Sequence, residues 1–474
     1  MSRPHQPSIA IIGGGLGGLT LSIGLTHHNI PHKIYESTSA FAEIGAGIAL
    51  GPNSITALEL IDPRIKGVLE RCVSYNEGLD SKGRGEGREE WLDVRSGEEK
   101  DFNELITTIR HMGSPKPGRA CVHRARFLEG LVDLIPPSIP QFSKSLISIT
   151  SLPSANPSID QLQLSLLFSD GTTATADAVI ACDGIKSTIR QNYVLDLSSD
   201  VSRPVPTGDV AYRGMFSRDD FLGIVGGTID AGKGTLFCGQ ESYVVMYPVE
   251  KGSMMNMVAI KRLSSSSQTQ THDSKTWLHS VSYETMLSDF VNWGTPIRDL
   301  LKQFKSSQRW ALYDHLPVPT YVRGRVALMG DAAHATTPHQ GQGAGMAFED
   351  ALVLSNIMGQ VLTKTSTDTS SSSSSSSTSE KDGEEAKSDF SEEIEACFQA
   401  YDGVRRARTQ RVTETSRQMG EVVRFVGEGI GRDFAKMKRD LDGRMQWIWD
   451  VDLPGEIERG VDIAEGVLRR RGGV

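Results

Sequence analysis

From Ile9 to Thr20 the chain reads IAIIGGGLGGLT, with five glycines among six residues. Glycines at 13, 15 and 18 fit the G-x-G-x-x-G spacing, and each has its own task. Gly13 lets the chain turn tightly, Gly15 lets backbone approach a pyrophosphate, and Gly18 lets the next helix pack against the preceding strand. The helix N-terminus then offers unpaired N–H groups and the positive end of its dipole to phosphate. Glu36 closes HKIYES at roughly the 20-residue offset where a carboxylate suits a ribose hydroxyl and repels a 2′-phosphate. The chemistry is dinucleotide binding, and this loop alone does not separate NAD from FAD. Two further acids stand at strand ends, Asp183 in ACDGIKSTIR and Asp331 in GDAAHATTPHQGQGAGMAFEDA.

Those residues need elements to hold them. Ile9 to Ile12 reads as a short buried strand, and Leu16, Leu19, Leu21 and Ile23 as one face of a helix. CVHRARFLEGLVDLI has helical periodicity, with Phe127, Leu128, Leu131 and Leu134 on one face and Pro136-Pro137 as its stop. Asp170-Gly171 marks a hairpin turn before ADAVIACDG. From Val201 to Arg309 strand signals dominate (DVAYRGMF, TLFCG, YVVMYPV, MNMVAI) and predict an antiparallel sheet forming a second domain. SYETMLSDFVNWGTPIRDLLKQF predicts a helix. Thr363 to Glu393 is dominated by Ser, Thr, Glu, Lys and Asp, with serine unbroken from 370 to 377. Such a composition cannot bury enough apolar area to offset ordering, so it predicts a disordered insertion. Helical periodicity returns at Ile394 and lasts to about Trp449, with VGEGIG near residue 427 inside it.

At 474 residues the chain predicts two or three domains. A net charge of −9 gives no electrostatic case for nucleic acid. The five cysteines are scattered, odd in number and without a C-x-x-C pair, which points to a reducing, cytoplasmic setting. A strand beginning by Ile9 leaves no room for a signal peptide. No run approaches the roughly 18 apolar residues of a membrane span. No metal-ligand cluster is expected. The oligomeric state stays open between monomer and homodimer.

IIGGGLGGL, ACDGIKSTIR and GDAAHATTPHQGQGAGMAFEDA, in that order, resemble the three fingerprints of the class A flavin monooxygenases. EIGAGIALGPNS (Glu43 to Ser54), VHRARFLEGL, AYRG and WIWDVDL narrow the resemblance to the salicylate-hydroxylase-like branch, over nearly the whole chain. The chain is also similar to fungal hydroxylases that dearomatise polyketide phenols, which share RG and YP in the substrate domain. The serine-rich insertion is a departure from both. The resemblance implies an α/β fold: a Rossmann-like FAD-binding domain (residues 1–73, 105–190 and 320–362) interleaved with an antiparallel-sheet substrate domain (74–104 and 191–319). A disordered insertion (363–393) and a C-terminal helical segment (394–474) complete it. Gly13, Gly15, Gly18 and Glu36 would bind the ADP half of FAD, Arg124 its linker, and Asp331 the ribityl and pyrophosphate region. Asp183 belongs to a motif tied to both FAD and NAD(P)H. Ala49 and the GQGAG amides, Gly343 and Ala344 among them, would meet the isoalloxazine. With one strand-borne nucleotide fingerprint, NADPH or NADH must be met transiently.

The implied reaction is hydroxylation of a small phenolic ring with O2, through a flavin C4a-hydroperoxide. The protein must hold a phenolate over the flavin and keep water out. Strand alternation puts Tyr212 and Arg213 on opposite faces, and Tyr243, Val245 and Tyr247 on one. Arg213 with a tyrosine hydroxyl could bind phenolate or carboxylate; by residue type alone a surface or interdomain salt bridge is the better reading, and the resemblance turns the balance to the anion site. Tyr243 and Tyr247 are the tyrosine candidates, with Tyr247 preferred. His339 is a candidate proton-handling residue, and Pro338 would lie over the flavin toward substrate. Gly47 and Leu50 would line the pocket. An ortho carboxylate on the substrate implies ipso attack with loss of CO2, whereas a substituted polyketide phenol implies a dearomatised ketone. A non-oxygenating flavoprotein oxidoreductase is the more remote alternative.

Overall fold

The computed structural model describes residues 7–41, 47–79, 84–113, 117–152, 163–195, 200–264, 277–371 and 390–471. Glu43 to Ala46 of EIGAGIALGPNS and residues 372–389 of the insertion lie outside them. A six-stranded sheet carries the first strand, Ile9–Ile12, between His32–Tyr35 and Ala178–Ala181. All four residues of Ile9–Ile12 are buried, as an inner strand of a parallel sheet requires. Val326–Leu328 extends the parallel set beyond Ala178–Ala181, and Val322–Arg323 adds an antiparallel edge. Three strands that end in fingerprint loops therefore lie side by side.

The second large sheet has eight strands. Its pairs are antiparallel except one: Thr235–Gly239 runs parallel to Glu90–Ser96. The expected antiparallel sheet is thus mixed, because a strand far back in the chain joins its edge through a long crossover. One face packs Tyr212, Val244, Met246 and Met257 with Phe221, Leu300 and Leu301. The other packs Ala211, Leu236, Tyr243 and Ile260 with Val412, Met419 and Val422 of the helix Phe390–Val423.

Several helix boundaries differ from expectation. The stretch after Ser282 forms two helices, Tyr283–Ser288 and Thr295–Lys302. Gly294 separates them, where a Cβ would stand 2.2 Å from the Phe102 ring. The helix Gly343–Ser371 runs past Thr363, because extending a packed helix is far easier than nucleating one. VGEGIG lies between the helices Phe390–Val423 and Phe434–Arg444, not inside one, and Gly429 and Gly431 take positive φ there. Among the described residues no helix is long and apolar enough to cross a membrane.

Candidate active site

The glycine loop is built by convergence. Gly13 turns with φ +105°, and its N–H donates to the Tyr35 carbonyl at 2.9 Å. A Cβ on Gly13 would lie 2.3 Å from the Cys182 carbonyl oxygen, and one on Gly18 would lie 2.1 Å from the Gly13 oxygen. Gly15, which caps the helix Leu16–His27, has nothing within 4 Å of that position. The loop is closed toward the protein and open where a pyrophosphate would approach. Glu36 accepts from the Gly14 N–H at 2.7 Å and the Thr38 N–H at 2.8 Å. Partial burial pushes its carboxyl up, but these bonds with those from Thr38 and Ser37 hydroxyls outweigh it and hold the group below the usual range.

Asp183 follows Ala178–Ala181, and burial raises its pKa. Its Oδ2 accepts from the Thr188 N–H at 2.9 Å, while Oδ1 is buried without a hydrogen-bond partner. Arg190, at the end of the same motif, is fully buried. It donates to the carbonyls of Ala332 (3.2 Å), Ala333 (2.7 Å) and Val201 (2.9 Å). The second fingerprint is thereby tied to the third.

In the third, Asp331 opens the short helix Asp331–His334 and is exposed. Burial lowers the Arg124 pKa, with Asp331 opposing and the like charge of Arg213 adding to it, so both charges bear on Arg124. Gly341 (φ +66°) comes within 3.5 Å of Trp91 and 3.9 Å of Ala49, measured from its ideal Cβ. The helix Gly343–Ser371 then begins, presenting the amides of Gly343 and Ala344. The fingerprints, the unpartnered Asp183 oxygen and the open Gly15 face fit FAD. Among the described residues no His, Cys, Asp and Glu cluster could hold a metal ion.

Opposite the flavin loop stands the eight-stranded sheet. Arg213 is paired with Val258, and Val258 with Val245, so these three form a row across the strands. Arg213 is exposed, and its guanidinium carbon lies 5.2 Å from the Trp310 ring centroid. Tyr212, on the other face, is buried with its hydroxyl donating to Asp289 at 2.7 Å. Tyr247 donates to the Gly47 carbonyl at 2.7 Å, and a Cβ on Gly47 would meet the Tyr247 ring at 2.7 Å. Gly47 therefore lets the sheet close on the strand Gly47–Leu50.

Three expected site residues do not reach this space. Leu50 is fully buried, in one core cluster with the strands Ile9–Ile12 and Ala178–Ala181. Tyr243 is on the same sheet face as Tyr247, but it is buried, in one core cluster with Met419 and Val422 of the helix Phe390–Val423. Its hydroxyl meets His339 Nδ1 at 2.8 Å. The His339 side chain is 1 % exposed and lies 3.6 Å from Asp209, packed on Gly420. Pro338, by contrast, is exposed. Alternation along a strand says which face a residue takes, not which part of that face a distant helix covers. Trp310 was missed for a related reason: it reaches Arg213 only through the pairing of Ala211 with Trp310, set by a bulge between Pro206 and Val210.

Burial drives His339 and His315 down to about 3. Below about pH 6.5 an unfolded histidine gains a proton that these folded ones refuse until near pH 3. Their contribution to stability is therefore complete above about 6.5 and is lost as pH falls toward 3. His339→Asn should flatten the pH dependence of the urea midpoint across that window by about one proton. An unchanged slope would mean that His339 is not held neutral.

The fingerprints fit an FAD-dependent oxidoreductase, and Arg213 and Trp310 lie on the sheet that stands opposite the glycine-rich loop. Residues 165–378 match the family described as FAD binding domain. A 6-methylsalicylate 1-monooxygenase of Aspergillus terreus is 35% identical over 99% of this chain and 95% of its own. A salicylate hydroxylase of Pseudomonas putida is 32% identical over 97% and 94%. The solved structure of a salicylate hydroxylase substrate complex superposes with a TM-score of 0.77 at 29% identity, covering 96% of this chain and 98% of that one. The chain belongs to the salicylate-hydroxylase-like FAD-dependent monooxygenases.

Proposed function

We propose that the substrate is an ortho-hydroxybenzoate, with its anionic edge on Arg213 and its ring against Trp310. The observation that carries this is the exposed guanidinium 5.2 Å from an indole, on the sheet face opposite the flavin loop. A planar fork matches a carboxylate with two parallel hydrogen bonds. The names of the relatives support the same chemistry. Gly13, Gly15, Gly18 and Glu36 hold the ADP half of FAD, Arg124 and Asp331 its linker, and Asp183 the edge shared with NAD(P)H. Ala49, Gly343 and Ala344 border the isoalloxazine, with Pro338 toward substrate. The cofactor, reduced by NADH or NADPH, supplies activated oxygen. Arg213 holds and orients the ring, and Tyr247 with Gly47 closes the sheet against water. In this reading the flavin domain is assembled from chain segments interleaved with the sheet domain.

The overall reaction balances as hydroxybenzoate, NAD(P)H, O2 and two protons giving catechol, CO2, NAD(P)+ and water. The carbon–carboxylate bond breaks and its electron pair stays on the ring. The test is FAD-loaded enzyme given NADH or NADPH with salicylate, 6-methylsalicylate, a resorcylic aldehyde or a hydroxynicotinate, with products read by mass spectrometry. Catechols formed with stoichiometric CO2 are expected. A hydroxylated product that keeps its carboxylate, a dearomatised ketone, or NAD(P)H oxidation without any oxygenated product would each displace this reading.

A further inference from the structure

We infer that Arg119 is a second cation of the substrate site, acting from behind Tyr247 to favour phenols in their anionic form. The inference rests on the proposed hydroxybenzoate reading. Arg119 is 3 % exposed. Its guanidinium carbon lies 4.6 Å from the Tyr247 ring centroid and 5.3 Å from that of Trp91. Its hydrogen bonds go to the Cys121 sulfur (3.1 Å) and, weakly, to the Trp91 carbonyl (3.4 Å). A Cβ on Gly234 would meet its Nη1 at 2.3 Å, so the glycine makes room for it.

Two other buried arginines face carboxylates: Arg405 faces three, and Arg424 faces Asp209. Arg190 has no carboxylate among the described residues but is held by three carbonyls, those of Ala332, Ala333 and Val201. Among the described residues Arg119 has no carboxylate partner. A buried guanidinium given only a thiol, one long carbonyl contact and two aromatic faces keeps most of its field. Arg119 lies over the Tyr247 ring, and both Arg119 and Arg213 act on the charge at its hydroxyl, so the two cations reach the same region. Trp91 also stands 3.5 Å from the position a Cβ on Gly341 would take, so Arg119 lies beside a ring that borders the glycine-rich loop. Arg213 is the contact residue, and Arg119 is a positioning residue that works through space. Two cations at one site suit a ligand with two ionisable groups, a carboxylate and an adjacent phenol.

The experiment uses FAD-loaded enzyme and two chromogenic probes, 5-nitrosalicylate and 4-nitrophenol, whose phenolates absorb in the visible. The pH midpoint of the bound phenol is read directly. Arg119→Gln should raise that midpoint by about one pH unit for both probes. It should weaken 5-nitrosalicylate about tenfold and 4-nitrophenol less. Arg119→Lys should restore most of the midpoint, because it keeps the charge. Unchanged midpoints in a folded, FAD-bearing Arg119→Gln protein would overturn the inference. Should that variant not fold, Arg213→Gln decides. With Arg119 intact its bound phenol should still titrate below the free probe, and a midpoint equal to the free probe would overturn the inference. Failure of the wild-type enzyme to bind either probe would instead count against the hydroxybenzoate reading.

Discussion

Arg405→Met is expected to yield a protein that unfolds at much lower urea and retains little FAD at pH 7, a loss of about 3–5 kcal/mol. Arg405 is fully buried and donates to Glu349 (2.7 Å), Asp350 (2.9 Å) and Glu456 (2.6 Å). The other oxygen of Asp350 accepts from the Gly330 N–H at 3.1 Å and meets His334 Nε2 at 2.5 Å. One guanidinium thus joins the helices Gly343–Ser371, Phe390–Val423 and Leu453–Arg471, and through Asp350 it anchors the flavin loop. Methionine keeps much of the volume and removes the charge, leaving carboxylates buried with too few cations. In the wild type, burial pushes Glu349 and Asp350 up, but the facing cations outweigh it and hold both below the usual carboxylate range. Their stabilisation is therefore present above the unfolded value of about 4 and is lost as pH falls through the folded values. In the variant the balance reverses: burial keeps the carboxyls protonated to higher pH, and stability falls as pH rises past about 4. The gap between the two proteins should narrow from pH 7 to pH 5. A midpoint unchanged at pH 7, or a gap that widens on acidification, would show that the cluster does not carry this part of the fold.

The legible parts of this protein were local ones. Gly13, Gly15, Gly18, Asp183 and Asp331 each sit in a strand-turn-helix pattern spanning a dozen residues or so, and spacing alone carries that information. The opposite faces of Tyr212 and Arg213 follow from a period of two. The Arg405 cluster was not legible, because its partners lie 51 to 56 positions away in sequence. A faint signal existed in GMAFEDALVLSNI, where Glu349 and Asp350 interrupt an otherwise apolar helix. Two adjacent acids at core positions call for buried cations. The burial of Tyr243, His339 and Leu50 was hidden for the same reason as that cluster. Each depends on where the helix Phe390–Val423 or the first-domain core closes over a surface, and local pattern does not encode coverage. Trp449 shows the reverse case. WIWDVDL was recognisable as a motif, yet its use emerges only from Gly51, where a Cβ would stand 2.7 Å from Trp449 Nε1, and from Trp91 at 5.3 Å.

Arg213→Ala should lower substrate affinity or transition-state binding by about ten- to a hundredfold, the equivalent of a charge-assisted hydrogen bond of roughly 1.5–3 kcal/mol. FAD should remain bound, because Arg213 stands on the sheet, apart from the flavin cradle proposed for Gly13, Gly15, Gly18 and the Gly330 to Ala344 loop. Removing the guanidinium also uncovers the Trp310 ring it lies against, so part of the loss is lost ordering of the aromatic wall. Arg124 should gain rather than suffer, since a neighbouring like charge disappears. The sharper consequence is in coupling. A ring that is held loosely misses the geometry its attack requires, and the oxidising equivalents then leave as H2O2. Product formed per NAD(P)H consumed should fall while peroxide rises to match it. Arg213→Lys should recover only part of the yield, because an ammonium supplies charge without the planar fork that fits a carboxylate. The measurements are product, NAD(P)H and peroxide in one reaction, with substrate affinity taken from flavin absorbance changes. A variant with wild-type affinity and full coupling would make Arg213 a wall residue stacked on Trp310. The anion would then have to be bound elsewhere in the cleft, with Arg124 the next cation to remove.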